Sequence, residues 1–374
     1  MANQLNIKCY DYIEFYVGSA KMWAYWLAKA MAFDIVGYSG PETGVKDKTS
    51  YFLVKNKIKF VITSAIKPSY YEVASFVEKH GDGVKRWSLS VENVKDAFDL
   101  AVKNGGIPVK NPKKFEDENG YIEEAAIKLY DDAEIVFINR DNYKGIFRPG
   151  FGKPIQKISI TTQDSGLQEV DHIVGNVRIN EMNLWGNYLN KTLNLETFLE
   201  FGAGDISTQY SALLSKVVRS KNGGRIKNPI NEPYEGLKKS QIEEYIDEYW
   251  GSGIQHIAIS TNNIIASIKA LRENGVEFLT VPNAYYDLLK EKKLSKMITE
   301  DIENLRKYGI LCDTEGKGYL LQLFTKPVSD RPTFFFEIIQ RREGAEGFGQ
   351  GNFQALFESI ERDQELRGSL DREE

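Results

Sequence analysis

The feature that most constrains the fold of this chain is an internal duplication, since two halves with one pattern must share one architecture. In each half an opening stretch is followed by a glycine-led strand, a helix pattern, an Asn-Gly stop and a final apolar strand. The matched stretches, first half against second, are 11–37 with 171–202, 83–105 with 253–275, and 136–140 with 337–341. Strand patterns alternate with helix patterns, which favours repeated β-α-β units. We therefore expect an α+β fold in which curled mixed sheets form two open barrels, each around a pocket.

Three apolar, strand-like runs of the second half each carry one polar side chain that can bind a metal. His172 stands before Ile-Val, His256 lies within 253–259, and Glu337 follows three phenylalanines. The chain has only 3 histidines in 374 residues, so two in such settings are unexpected by chance. Two imidazoles and one carboxylate form the facial ligand set of non-haem Fe(II) enzymes, which leaves positions open for substrate and dioxygen. The pattern predicts such a site.

The first half lacks this ligand set. When the repeats are aligned, Tyr12, Arg86 and Val136 stand opposite the three candidate ligands. Arginine stays protonated and valine has no donor atom, so these residues do not suit iron. We expect a metal-bearing half and a half without the site.

Composition excludes several classes of protein. Hydrophobic residues make up 42% of the chain, charged residues 27%, and the net charge is −5. These values are typical of a globular protein and give no basic footprint for nucleic acid. No apolar run is long enough for a membrane helix, and the N-terminus has no secretory signal pattern. With only Cys9 and Cys312 there is no disulfide framework. We expect a cytoplasmic enzyme, where the reducing environment keeps iron ferrous.

Local patterns predict the elements and the domain boundary. Strands are expected at 51–54, 60–63 and 135–138, and helices at about 69–80, 94–104, from 261 onward, 284–289, 300–308 and 353–362. The segment 148–154 is rich in Pro and Gly and is typical of a linker. The domains would be residues 1–150, without a metal site, and 151–374, with the Fe(II) site and a C-terminal gating helix.

The second half is longer than the first. The main insertion lies around 282–310, and a tail follows Arg342. Extra cover over the metal-bearing half would help to exclude water, although insertions can also be surface decoration.

Three other features carry less chemistry. The glycine-rich run 347–352 lacks the lysine and the preceding strand of a phosphate loop, so a hinge before the last helix is the better interpretation. His80 is flanked by charges and glycine and is expected in a solvated loop. Cys312 has no base nearby in its motif and is assigned no role.

Four motifs of the second half resemble the 4-hydroxyphenylpyruvate dioxygenase family. They are Asn-Pro-Ile-Asn-Glu-Pro at 228–233, Gly-Ile-Gln-His-Ile-Ala at 253–258, Leu-Gln-Leu-Phe-Thr-Lys-Pro at 321–327, and Gly-Phe-Gly-Gln-Gly-Asn-Phe-Gln-Ala-Leu-Phe at 347–357 with Ser-Ile-Glu at 359–361. Their order is that of the family, and the first half resembles it more loosely. The resemblance implies the vicinal-oxygen-chelate fold (the glyoxalase, bleomycin-resistance and dioxygenase fold), built from duplicated βαβββ modules.

The resemblance also implies a reaction and its cofactor. One Fe(II) per subunit would be bound by His172, His256 and Glu337, and the substrates would be 4-hydroxyphenylpyruvate and dioxygen. The 2-oxo acid supplies the electrons, so no nicotinamide or flavin is needed. Oxidative decarboxylation, ring hydroxylation and side-chain migration would give homogentisate and CO2, as in tyrosine and phenylalanine catabolism.

Family positions suggest the residues around the substrate. Residues that hydrogen-bond the substrate, orient groups that do, or wall its ring would be Gln241, Asn231, Ser215, Gln322, Phe324 and Phe353. Residues of a wider substrate-binding shell would be Gln255, Asn352, Phe357 and Pro229, with Asn352 stabilising the turn before Phe353. Neutral amides orient a phenol without adding a charge that must be desolvated.

Three alternatives stay open. Hydroxymandelate synthase shares the fold, the ligands and the substrate but hydroxylates the side chain; Phe353 and the segment 229–231 look more like the ring-hydroxylating branch. Extradiol ring cleavage uses the same ligands, and a binding protein of this fold would need no metal. The family forms dimers or tetramers, so we expect a homo-oligomer, and we expect no nucleic-acid or membrane partner.

Overall fold

The architecture consists of two sheets of the same topology. The computed structural model describes residues 5–154, 160, 162–202, 210, 212–221, 225–291 and 297–371, and the statements below concern those residues. The strands of the first sheet are β1 Ile7–Tyr16, β2 Asp34–Ser39, β3 Lys48–Lys55, β4 Ile58–Ala65, β5 Gly83–Val91, β6 Pro108–Asp117, β7 Gly120–Leu129 and β8 Ala133–Asn139. Those of the second are β9 Leu167–Asn176, β10 Leu195–Phe201, β11 Ala212–Ser220, β12 Lys227–Tyr234, β13 Gly253–Thr261, β14 Leu311–Glu315, β15 Gly318–Phe324 and β16 Phe335–Arg342.

The strand orders confirm the duplication. The first sheet has the order β2-β3-β4-β1-β5-β8-β7-β6, and the second has β10-β11-β12-β9-β13-β16-β15-β14. Each place in the second sheet is taken by the counterpart of the strand in the first. In both sheets the two central strands are antiparallel to each other and each is parallel to its outer neighbour. The sheets are the two open half-barrels that the repeat predicts.

Helices connect the strands and complete four βαβββ modules. They are α1 Ala20–Ala30, α2 Tyr71–His80, α3 Val94–Lys103, α4 Met182–Thr192, α5 Gln241–Tyr249, α6 Ile264–Glu273, α7 Asn283–Glu291, α8 Ile302–Tyr308 and α9 Phe353–Arg367. Asn93 and Asn263 cap α3 and α6 by accepting a backbone N–H three residues on, which explains why these two helices start at matched positions. Among the described residues, no helix is sufficiently long and apolar to span a bilayer.

The insertion lies where the sequence placed it. Helices α7 and α8 stand between α6 and β14, where the first half passes directly from α3 to β6. Helix α9 has no counterpart in the first half, and it runs further than the pattern predicted.

The two sheets share a hydrophobic core. Phe15 of β1 packs edge-on against Phe334 at 5.2 Å between ring centroids. Trp26 of α1 stacks on Phe336 of β16 at 6.4 Å. Phe334 and Phe336 lie just before Glu337 and face the first half. The strand that presents the Glu337 carboxylate is therefore packed against the first half on the side away from the cavity.

His80 corrects one expectation, since it is fully buried at 0% exposure rather than solvated. It ends α2, where its Nδ1 lies 2.6 Å from the carbonyl oxygen of Tyr249 and its Nε2 lies 2.9 Å from Asp132. The ring also stacks on Tyr249 of α5. The local sequence is polar, but the burial comes from a helix of the other half.

The segment 148–154 is partly tied to the first half. Gly152 and Tyr38 exchange two backbone hydrogen bonds of 2.9 Å. The division at 150 remains a prediction.

Candidate metal centre

The register of three adjacent strands brings the candidate ligands together. Ala258 of β13 pairs with His172 of β9 on one side and with Glu337 of β16 on the other. These residues therefore form a row across the sheet, and His256 lies two positions before Ala258 on the same strand. Since side chains alternate along a strand, all of them point to one face. The small Ala258 leaves space between the ligands above it.

A break in the pairing of β13 gives the site a second polar residue. The register between β9 and β13 shifts between Ile254 and His256, so Gln255 is the extra residue of a bulge. Both Gln255 and His256 line the cavity as a result. In the first half the register between β1 and β5 shifts at the matched place, next to Lys85.

The ligand atoms converge. One atom each from His172, His256 and Glu337 lie within 4.8 Å of one another, and all three residues are buried. The carboxylate of Glu337 is 3.1 Å from Nε2 of His172 and 3.4 Å from Nε2 of His256. Two nitrogens and a carboxylate oxygen on one face form a donor set that fits a divalent transition metal.

Neighbouring side chains orient both imidazoles. Nδ1 of His172 lies 2.7 Å from Oδ1 of Asp171, and Nδ1 of His256 lies 3.0 Å from Oε1 of Gln255. Each acceptor favours the proton on Nδ1 and leaves the Nε2 lone pair directed at the centre.

The electrostatics favour a positive charge at this place. Burial raises the pKa of Glu337, but His172 and His256 outweigh it and hold that pKa at about 2. Burial lowers the pKa of His256. Burial also acts to lower the pKa of His172, but Glu337 and Asp171 leave it raised. The fixed charge of Glu337 is therefore balanced at the centre by a proton on His172 or by a cation.

The cavity beside the three ligands has a polar wall and an aromatic wall. Most of the candidate substrate residues line it: Ser215, Pro229, Asn231, Gln241, Gln255, Phe324, Phe353 and Phe357. Ser215 and Asn231 are directly paired across β11 and β12, and Gln241 begins α5. Among the described residues, the polar wall thus contains a hydroxyl and three amides and, apart from the candidate ligands, no charged side chain.

Sequence reasoning missed part of the aromatic wall. Phe335 stacks on His256 at 4.8 Å between ring centroids, and Phe348 meets His172 edge-on at 4.9 Å. Phe201 lies edge-on to Phe353. The alternation of β16 could have identified Phe335, because it stands two residues before Glu337 on the same face.

Two candidate residues lie behind the cavity rather than in its lining. Gln322 of β15 is 1% exposed, and its amide lies against Gly349. Asn352 is fully buried, and its Oδ1 accepts a hydrogen bond of 2.8 Å from the Tyr285 hydroxyl. Asn352 thus ties the turn before α9 to α7.

The insertion does not roof the cavity. None of the described residues of 282–310 lines it, and the cover comes from Phe348 and the first turns of α9. The insertion acts through the Tyr285–Asn352 hydrogen bond, which supports the start of that helix.

The first half confirms the alignment of the repeats. Ser88 pairs with Val136, as Ala258 pairs with Glu337, and Tyr12 lies beside Ser88. Arg86 takes the place of His256 and is surrounded by carboxylates: Glu72 at 2.8 Å, Glu134 at 3.4 Å and Glu14 at 3.5 Å. An ion cluster around Arg86 thus takes the place of the candidate ligands, and Arg86 and Val136 border a cavity that Lys110 and Lys113 also line.

Comparison with known proteins gives relatives over nearly the whole chain. A curated 4-hydroxyphenylpyruvate dioxygenase of Yarrowia lipolytica is 43% identical over 369 residues, which covers 96% of this chain and 93% of the relative. Those of Dictyostelium discoideum and Xenopus tropicalis are each 42% identical and cover 96% of this chain and 99% and 92% of the relative. No protein-family model matches the chain.

Solved structures share the fold. A triple variant of 4-hydroxymandelate synthase from Streptomyces coelicolor superposes with a TM-score of 0.83 at 27% identity, over 96% of this chain and 99% of that chain. A fusion of a xylose isomerase-like TIM barrel with 4-hydroxyphenylpyruvate dioxygenase has a TM-score of 0.73 at 20% identity, over 96% of this chain and 53% of that chain.

Proposed function

Since this chain belongs to the 4-hydroxyphenylpyruvate dioxygenase family, we propose that it binds one Fe(II) through His172, His256 and Glu337 and converts 4-hydroxyphenylpyruvate and dioxygen to homogentisate and CO2. The chain is an enzyme of the dioxygenase class, as its relatives are. The identity of the metal and the roles of the individual residues are proposals.

One observation carries this proposal. The three donor atoms that lie within 4.8 Å of one another face a cavity whose other described lining residues are neutral: three amides, one hydroxyl, aromatic rings and aliphatic side chains. A 2-oxo acid with a phenol at its far end has a chelating head and a polar tail, joined by an apolar ring. The candidate ligands can hold a metal that binds the oxo-acid head, the aromatic side chains can pack against the ring, and the amides and the hydroxyl can hydrogen-bond the phenol.

The residues of the site have three roles: they bind the metal, orient the substrate and exclude water. His172, His256 and Glu337 hold the metal, which when bound polarises the oxo acid and provides a position for dioxygen. Ser215, Asn231, Gln241 and Gln255 orient the substrate by hydrogen bonds, without charges that would have to be desolvated.

The aromatic side chains exclude water. Phe335 and Phe324 pack around His256, and Phe348 covers His172. Phe353 and Phe357, one turn apart on α9, close the cavity from the C-terminal side. A dry site protects reactive species from side reactions.

The setting of the enzyme is proposed on chemical grounds. Cys9 and Cys312 are both free thiols, which fits a reducing compartment such as the cytoplasm. A homo-oligomer, dimer or tetramer, remains a prediction.

4-Hydroxymandelate synthase is the second candidate, favoured by the TM-score of 0.83 with that enzyme. The two reactions differ in whether the ring or the side chain is hydroxylated. The higher identity of 43% with a dioxygenase and the aromatic Phe353 favour the ring.

The test is aerobic turnover with product identification. The purified protein is loaded with Fe(II) under ascorbate and given 4-hydroxyphenylpyruvate, and the products are separated against standards. Homogentisate that is lost on chelation and restored by Fe(II) is expected. Hydroxymandelate, an isomer that retention or NMR distinguishes, would move the chain to the synthase branch, and no oxygen uptake would remove the proposal.

A further inference from the structure

An arginine on β16 and an aspartate on β9 form a clamp behind the metal ligand His172. Nε of Arg341 donates to Oδ2 of Asp171 at 2.8 Å, and Nη2 donates to Oδ1 at 2.7 Å. The same Oδ1 lies 2.7 Å from Nδ1 of His172. A bidentate pair fixes the plane of a carboxylate, so the position of Arg341 sets the acceptor that orients this imidazole.

The remaining face of the same guanidinium holds the segment that leads to α9. Nη1 of Arg341 donates to the carbonyl oxygen of Gly347 at 2.6 Å and to that of Ala345 at 3.4 Å. The guanidinium also lies 5.6 Å from the ring centroid of Phe348, which itself packs edge-on against His172. One side chain thus contacts both the support of a metal ligand and the base of the helix that covers the cavity.

The position of α9 depends on this segment. Phe353 begins the helix only a few residues after Phe348, and both rings line the cavity. Asn352, between them, is held by Tyr285. A shift at Gly347 would therefore move the first turn of α9 and the Phe348 ring against His172 together.

The first half contains a partial counterpart of this clamp, in which the arginine contacts the aspartate through one nitrogen only and Nη2 of Arg140 has no hydrogen-bond partner among the described residues. Nε of Arg140 donates to Asp11 at 2.7 Å, and Nη1 of Arg140 donates to the carbonyl oxygen of Phe147. Its guanidinium lies 4.6 Å from the Phe147 ring, and that ring meets Tyr12 edge-on at 5.1 Å. The Arg–Asp contact therefore belongs to the repeat, and the second half differs in making it bidentate and in placing an imidazole against the aspartate.

We infer that Arg341 and Asp171 are positioning residues that couple the orientation of His172 to the seating of residues 345–353. Binding of the metal and closure of α9 over the cavity then stabilise each other. The inference rests on the proposed role of His172 as a ligand. Because such coupling is reciprocal, the factor by which closure strengthens metal binding equals the factor by which metal binding stabilises closure.

The experiment measures metal binding and helix protection in the full chain, without turnover. Fe(II) affinity is titrated anaerobically, and hydrogen exchange of 353–367 is followed with and without Fe(II). The variants are Arg341→Lys, which cannot keep both the bidentate pair and the carbonyl contacts, and the isosteric Asp171→Asn. The matched controls are Arg140→Lys and Asp11→Asn in the clamp of the first half.

In the unaltered protein, Fe(II) is expected to slow hydrogen exchange in α9. In Arg341→Lys and Asp171→Asn the Fe(II) dissociation constant should rise by about 10- to 100-fold, which is the usual cost of losing the partner of a ligating histidine. The slowing of exchange by Fe(II) should shrink in the same variants. The controls should lower the melting temperature of the metal-free protein and leave the Fe(II) dissociation constant unchanged.

Two results would overturn the inference. Equal changes in Fe(II) affinity for the Arg341 and Arg140 variants would mean that both clamps only stabilise the fold. Weaker Fe(II) binding with the slowing of exchange in α9 intact would mean that the clamp orients His172 without coupling it to the helix. Failure of the proposed reaction is distinguishable, because the product assay on the unaltered chain tests it separately.

Discussion

In the first half of the molecule the matched positions belong to an ion cluster beside a cavity that Lys110 and Lys113 also line, whereas in the second half they hold three candidate metal ligands beside a cavity with an aromatic wall. Arg86 with its three carboxylates stands where His256 stands, and Val136 stands where Glu337 stands. Strand order, register and the break next to Lys85 or Gln255 are shared. The scaffold thus fixes where side chains meet, and the residue types at these places give three candidate metal ligands in one half and an ion cluster around Arg86 in the other.

Removal of the candidate carboxylate ligand is expected to have the largest effect. Glu337→Ala should lower turnover by about 1,000-fold or more, because losing several kcal/mol of stabilisation at the reacting centre costs a factor of ten for each 1.36 kcal/mol. The measurement is homogentisate formation under saturating Fe(II). Val136→Ala, at the matched position, should cost about 1–2 kcal/mol of folding free energy and leave turnover unchanged. Full activity of Glu337→Ala would contradict the ligand assignment.

Removal of the cation from the first half tests its ion cluster. Arg86→Leu removes the cation beside the buried Glu14 and leaves Glu72 and Glu134 with only Lys110 and Lys85, so it should lower the free energy of unfolding by about 3 kcal/mol. Urea denaturation of the metal-free protein measures this. His256→Leu is the matched variant: it should cost less stability, because Glu337 keeps its contact with His172, yet it should weaken Fe(II) binding. If both variants lowered the free energy of unfolding by a similar amount, Arg86 would contribute no more to the stability of the fold than His256 does.

Helix α9 has no counterpart in the first half, like α7 and α8, and its first residue tests what this helix adds. Phe353→Ala opens the aromatic wall, so it should raise oxygen uptake relative to homogentisate formed. An oxygen electrode combined with product analysis measures this ratio. Leu366→Ala, at an exposed position near the other end of the same helix, serves as the control. A ratio unchanged in Phe353→Ala would remove its role as a shield.

The smallest effect expected is a pH dependence that comes from the first half. Burial raises the pKa of Glu72, but Arg86 and Lys110 outweigh it and lower that pKa from 4.5 to about 2. Because the carboxylate is more acidic in the folded state, its contribution is complete above about pH 4.5 and is lost as the pH falls towards 2. The melting temperature of Glu72→Gln should therefore lie below that of the unaltered protein at neutral pH, and the two should converge in acid. A difference that is constant across this range would contradict the role of the ionised carboxylate.

The sequence predicted what depends on local pattern. Short apolar runs predicted the strands around His172, His256 and Glu337, and the capping residue Asn93 predicted a helix start. Alignment of the repeats predicted that Tyr12, Arg86 and Val136 take the places of the candidate ligands. These features depend on residues that are close to one another in the chain, so the sequence alone is sufficient to predict them.

What the sequence did not predict depends on contacts between distant segments. His80 is buried by Tyr249 and Asp132, neither of which is near it in sequence. The clamp joins Asp171 to Arg341, and the insertion acts through Tyr285 on Asn352 rather than as a roof. Gln322 has the spacing of a residue that lines the cavity, but its side chain lies against Gly349. The sequence around such polar residues does not indicate which distant segments they contact in the folded chain.

The aromatic contact between the halves has a consequence for modularity. Phe334 and Phe336 are seated on Phe15 and Trp26, and the next residue after them is Glu337. Excision of residues 1–150 would expose this aromatic face to water and free the strand that presents the carboxylate. The first half therefore supports the strand that carries the candidate ligand Glu337, and the second half is expected to lose its metal affinity when it is produced alone.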